Sequence, residues 1–106
     1  MALLEAPIEL LDLADGESVE LSVLRVLLGE VRIETRLEPE GKVVPTWRVW
    51  VPAKDKPLGA PYWDITSRTL QARLEPVLEQ LVASGRRLKI TKYGVAPTAR
   101  HQVDFL

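Results

Sequence analysis

Apolar residues recur along the chain with two periods, and the change of period separates strands from a helix. From Glu17 the alternation Val19, Leu21, Val23 has the two-residue repeat of a half-buried strand, but the parity then shifts to Leu24, Val26, Leu28. A one-residue shift turns the apolar set to the opposite face. A bulge or strong bend is therefore expected near Val23, as where a strand crosses from one side of a barrel to the other. After Gly29, Val31, Ile33 and Leu37 alternate with Glu30, Arg32, Glu34 and Arg36, which gives a second strand with one wet face. The turn Glu38-Pro39-Glu40-Gly41 leads into a third strand from Lys42 to Val51. It carries Val43, Trp47, Val49 and Val51 on one side and Val44, Thr46, Arg48 and Trp50 on the other.

Pro52 to Pro61 holds three prolines and a glycine, which deny it regular pairing, so it is expected to be a loop presenting Lys54 and Lys56. Tyr62 and Trp63 follow it. Asp64, Thr66 or Ser67 is placed to cap a helix whose stripe is Leu70, Leu74, Val77, Leu78, Leu81 and Val82 and whose C-cap is Gly85. Pro76 lies inside this helix and is expected to kink it near Gln71 to Leu74. The last two strands, Arg87 to Tyr93 and Arg100 to Leu106, flank a Gly/Pro loop that contains Gly94 and Pro97. In the first, Leu88 and Ile90 oppose Arg87, Lys89, Thr91 and Tyr93; in the second, Val103 and Phe105 oppose Gln102 and Asp104 and are expected to close the core. Ahead of all this, Met1 to Asp15 reads as a short entry strand or helical turn broken by Pro7.

The 106 residues suit one domain, 1–106, mainly β with one helix, in the order β-β-β-α-β-β. An α+β alternative lays the helix across one face of an open antiparallel sheet. Apolar residues at 46% and charged residues at 27% are ordinary for a soluble protein, and no apolar run reaches membrane-spanning length. Glu5, Glu9 and Asp12 and the lack of a basic start argue against a secretory signal, so a cytoplasmic location is expected. The absence of Asn and the scarcity of Gln and Met point to a thermophilic source or to a GC-rich genome, which produces a similar bias.

Charge changes the picture more than composition does. Residues 1–41 hold ten acids and three bases, a charge of −7; residues 42–106 hold five acids and eleven bases, a charge of +6. A face that gathers the basic residues attracts anions although the whole chain is at −1. With no cysteine and a single histidine, thiolate chemistry and multi-histidine metal sites are excluded, and no metal or cofactor is expected. Paired carboxylates, a nucleophile with its base and a phosphate-cradling glycine loop are all missing, so the expected function is binding and not catalysis.

The motif with most content is the C-terminal pair of strands. It reads Lys89, Ile90, Thr91, Lys92, Gly94, then Arg100, and it resembles the closing hairpin of small OB-fold single-stranded DNA-binding proteins of archaeal or viral type. His101 stands where that family carries an aromatic. The strand–helix order matches as well, because an OB-fold is a five-stranded, partly open Greek-key barrel with its helix between strands three and four. The resemblance implies an OB-like barrel and a single-stranded DNA or RNA partner bound with little sequence preference. Such binding needs cations that follow phosphates and flat side chains on which bases stack. The residues expected to line the groove are Arg48, Trp50, Lys54, Lys56, Tyr62, Trp63, Arg87, Lys89, Lys92, Tyr93, Arg100 and His101. The rival expectation is a protein-interaction module, a homodimer included, in which the same exposed aromatics form an interface.

Overall fold

The parity shift at Val23 marks a change of sheet. In the computed structural model, which describes residues 2–34, 36–95 and 98–106, strand β1 (Ser18–Ser22) ends there and β2 (Arg25–Ile33) begins in a different sheet. Leu24 N–H donates to Trp50 O (2.8 Å) at the crossing point. Gly29, expected at a strand boundary, lies inside β2, where a Cβ would come within 2.6 Å of the Leu4 side chain. Leu37, expected to point inward, is 93% exposed because the strand has already ended at Ile33.

Strand β3 (Lys42–Trp50) pairs antiparallel with β2 and with a short β4 (Tyr62–Ile65) that the pattern does not announce. The helix follows as α1 (Arg68–Leu74), a 3-10 turn (Glu75–Val77) around Pro76, and α2 (Leu78–Ser84). Ser67 is the N-cap, its side chain accepting from Leu70 N–H, and Gly85 closes the helix at φ 65°. Asp64, expected among the caps, belongs to β4 instead and is fully buried. Strands β5 (Arg87–Tyr93) and β6 (Arg100–Phe105) complete the chain. Of the loop between them, Ala96 and Pro97 lie outside the described residues.

The protein is mainly β with one helical segment, and its strands form two three-stranded antiparallel sheets, β1–β5–β6 and β2–β3–β4. The single five-stranded barrel expected from the strand order is not found among the described residues, because no ladder joins β4 to β6. The outer edge of β4 carries residues of the N-terminal arm instead, with Leu10 bridged to Asp64. Both sheets and the helix share one core, which includes Leu21, Val49, Ile65, Leu70, Leu81, Leu88 and Ile90, with Trp47 and Trp63 packed against it. No helix is long and apolar enough to cross a membrane.

Candidate nucleic-acid interface

Four of the residues expected on the groove, Arg48, Lys56, Tyr62 and His101, are buried, and hydrogen bonding explains the first three. Arg48 projects from β3 opposite Asp64 on β4, its direct register partner. Arg48 Nε and Nη2 donate to the Asp64 carboxylate at 2.8 and 3.2 Å, and its other N–H groups donate to Glu5 O (2.6 Å) and Pro7 O (3.4 Å). The hydrogen bond to Asp64 comes first among the influences that raise the guanidinium pKa further. Tyr62 Oη donates to Pro7 O at 2.6 Å, and the Arg48 guanidinium lies 4.1 Å from its ring centre. Lys56 Nζ donates to Leu58 O and Ala60 O (2.9 and 2.7 Å), pairs with Glu9 at 3.5 Å, and sits over the Trp63 ring. Trp63 itself is half-buried against the core with its Nε1 enclosed. These four side chains brace the N-terminal arm and the 52–61 loop.

The outward face of β1–β5–β6 is less basic than the hairpin sequence implies. Lys89 is flanked directly by Glu20 on β1 and Asp104 on β6. Arg87 donates to both oxygens of Asp55 (3.2 and 2.8 Å), and that hydrogen bond is the leading reason the carboxyl sits below its ordinary range. Lys92 is on the other face, 3.9 Å from Asp12 and beside His101 in the register. Lys54 is exposed in its loop. Trp50 is half-buried, 5.3 Å from Tyr62 between ring centres, with the Arg25 guanidinium 4.0 Å above it. Arg25 was hidden from pattern reading because it sits at the parity break.

What the fold does assemble is a groove between the helix and the outer edge of β6. Three adjoining hollows of about 470, 380 and 250 Å³ follow it, sharing Arg73, Arg100, Val77 and Phe105 as common walls. Arg73 on α1 lines the middle hollow with Arg100, His101 and Tyr93; Arg86 lies over the Phe105 ring at 5.1 Å. Among the described residues, no carboxylate lines any of the three hollows. Tyr93 is 49% and Phe105 41% exposed, so both offer ring surface, and the expectation that Phe105 closes the core is corrected: β6 overhangs the core at its end. His101 is buried, with Nδ1 3.1 Å from Thr69 Oγ1. Burial, then the Lys92 charge, lowers its pKa from 6.5, so the imidazole is neutral at pH 7.

Of the twelve expected residues, the groove brings together Tyr93, Arg100 and His101. Arg48, Trp50, Tyr62, Lys56 and Trp63 gather around the arm, while Arg87, Lys89, Lys92 and Lys54 stay dispersed. Sequence reasoning missed Arg73, although its position three residues after Leu70 puts it on the flank of the apolar stripe. Comparison with protein-family models, curated proteins and solved structures finds no match to this chain.

Proposed function

We propose that the protein binds single-stranded nucleic acid, with little sequence preference, along the groove between the helix and β6. The observation that carries this reading is the groove lined by three arginines and two exposed aromatic rings without a single carboxylate among the described residues. Tyr93 and Phe105 both line its middle hollow, toward opposite ends of β6. Arg100, paired with Tyr93, and Phe105 are five residues apart on one strand, roughly 17 Å at the usual rise. That length suits a short run of nucleotides stacking at the ends and held by their phosphates between. A duplex cannot present its bases to such rings, so a single strand is the fitting ligand.

The chain path supports an OB-like reading. With β1 and β2 taken as the halves of one bent strand, there are five strands with the helix between the third and fourth, and β1–β5–β6 and β2–β3–β4 are the two sides of a barrel left open at β4 and β6. The location this function implies is the cytoplasm. A second reading has one observation in its favour. Leu106 N–H donates to Arg87 O, so alternation turns the main-chain groups of His101, Val103 and Phe105 away from β5, where an extended peptide could add as a strand.

Fluorescence anisotropy of a labelled oligothymidylate at rising salt separates these readings. The wild type should bind at low salt, and Arg73→Ala/Arg100→Ala should flatten the log–log salt slope by about 1.4, as expected for two lost phosphate contacts on a single strand. Equal binding and slope in the double variant would remove the groove from consideration, and salt-insensitive self-association would favour the peptide edge.

A further inference from the structure

The N-terminal arm holds a second candidate surface closed. Residues 2–11 cross the face of β2–β3–β4 and bond to both outer edges of that sheet. On β2, Leu4 N–H donates to Glu30 O (2.9 Å) and Glu30 N–H to Ala2 O (3.1 Å); on β4, Asp64 N–H donates to Glu9 O (2.7 Å) and Leu11 N–H to Asp64 O (3.1 Å). Between these anchors the arm supplies oxygens: Glu5 O and Pro7 O to Arg48, Pro7 O to Tyr62, and the Glu9 carboxylate to Ala60 N–H (2.8 Å) and Lys56. The face itself is a row of alternating guanidinium and ring. Arg25 lies over Trp50, Trp50 meets Tyr62, and Arg48 lies over Tyr62. Arg25, Trp50 and Tyr62 are direct neighbours across three strands.

Much of the arm's hold is polar: Leu3, Ile8 and Leu10 remain exposed, and the apolar surface that release returns to water is mainly that of Leu4 and Leu11, which are half-buried. Its contacts to Arg48 and Tyr62 are oxygen acceptors, and phosphate oxygens satisfy the same donors; in the other direction, Glu9 N–H donates to the Asp64 carboxylate. The arm also carries Glu5 and Glu9, of the same sign as a phosphate chain, so the face does not hold both.

We propose that the arm is an intramolecular competitor, occupying on the β2–β3–β4 face a second site for single-stranded nucleic acid. The choice of ligand rests on the function proposed above; the displaceable arm does not. When the strand binds, the arm leaves, Arg48 and Tyr62 exchange backbone carbonyls for phosphate oxygens, and Trp50 with Arg25 offers a base platform.

Two variants and one probe test this. Leu4→Ser/Glu9→Ala weakens the arm without altering the face or the groove, and Arg73→Ala/Arg100→Ala disables the groove alone. In the wild type, oligothymidylate should speed amide exchange at Leu4 and Leu11 while Leu88 and Ile90 in the core keep their rates. The arm variant should bind on the order of tenfold tighter, as freeing a site closed nine parts in ten would require, and should still bind when combined with the groove variant. Unchanged arm exchange with no gain in affinity, or a combined variant that no longer binds, overturns the proposal while the groove reading stands. Binding by the arm variant but not by the wild type overturns the groove reading and supports the arm. No binding by either overturns both. Because the arm variant could be misfolded, Leu3→Cys/Glu30→Cys provides a reversible lock at a bridged pair in a chain otherwise without cysteine. The oxidised form should lose the exchange response and the reduced form regain it; identical responses would refute the competitor.

Discussion

Replacing Asp64 by alanine removes the carboxylate on which the arm, β3 and β4 converge. Asp64 is 0% and Arg48 3% exposed, and the carboxylate accepts two hydrogen bonds from Arg48 and one from Glu9 N–H (2.9 Å). Its loss leaves a guanidinium enclosed by protein with only the Glu5 and Pro7 carbonyls as partners. Breaking a buried pair from one side costs about 3–5 kcal/mol, against roughly 0–1 for a pair in water. That is a large share of the roughly 5–15 kcal/mol that holds a domain of this size. With a urea slope near ~1.5 kcal/mol per molar, the unfolding midpoint should fall by about 2–3 M. Urea titrations followed in parallel by tryptophan fluorescence and far-UV circular dichroism measure this directly. The apolar double replacement Arg48→Met/Asp64→Leu removes both charges and should lose clearly less than Asp64→Ala. A loss below about 1 kcal/mol in Asp64→Ala, or a double variant worse than the single one, would refute the reasoning that a desolvated charge pair anchors the arm.

Two further outcomes follow from the same geometry. The His101 pKa is depressed in the folded state, so unfolding takes up a proton below about pH 6.5; stability is complete above that value and declines as pH falls toward the folded pKa. His101→Gln should flatten this limb in thermal melts between pH 7 and about 5, and an unchanged limb would contradict the burial argument. Gly29→Ala should push Leu4 off β2, because the new Cβ would stand 2.6–2.7 Å from the Leu4 side chain and 3.1 Å from Ala2 O. Faster amide exchange at Leu4, with Leu88 unaffected, would show it; no change at Leu4 would mean that the arm's first residues are not seated there.

Periodicity disclosed the strands wherever one face is wet and the other packed. Val19 to Leu21 and the Leu88–Ile90 pair carry that signature, and the helix with Ser67 and Gly85 at its ends was equally plain, although Val82 of its stripe is exposed; in β3 the alternation located the strand, but the side expected to be wet is covered, with Thr46 and Arg48 buried. Strand β4 was invisible because its four residues are nearly all enclosed: Tyr62, Asp64 and Ile65 are buried and Trp63 is half-buried, so no alternation of polarity can appear. The site was harder to read for a related reason. A basic or aromatic residue looks the same in sequence whether it meets water or bonds to a carbonyl. The carbonyls that bury Arg48, Tyr62 and Lys56 come from residues 5, 7, 58 and 60, with no pattern of their own.

The charge asymmetry of the sequence explains which cations remain for a ligand. Acids of the first part of the chain meet bases of the second: Glu9 meets Lys56, Asp12 meets Lys92 and Glu20 lies beside Lys89. Asp55 and Asp64, from the second part, take Arg87 and Arg48. Pairs between the two parts of the chain and pairs within the second part thus both draw on its basic residues. Arg73, Arg86 and Arg100 make no ion pair among the described residues, and all three border hollows lined by no carboxylate among the described residues. A positive surface whose cations hold no acid is where an anion gains most, since no partner has to be displaced before it binds. On the β2–β3–β4 face Arg48 and Tyr62 already donate to arm carbonyls, and Arg48 to Asp64 as well, so an incoming strand gains there only the difference between its oxygens and those of the arm. The groove should accordingly bind first and the arm-covered face second, so that occupancy of the two surfaces by one oligonucleotide appears in two phases whose order Arg73→Ala/Arg100→Ala alters.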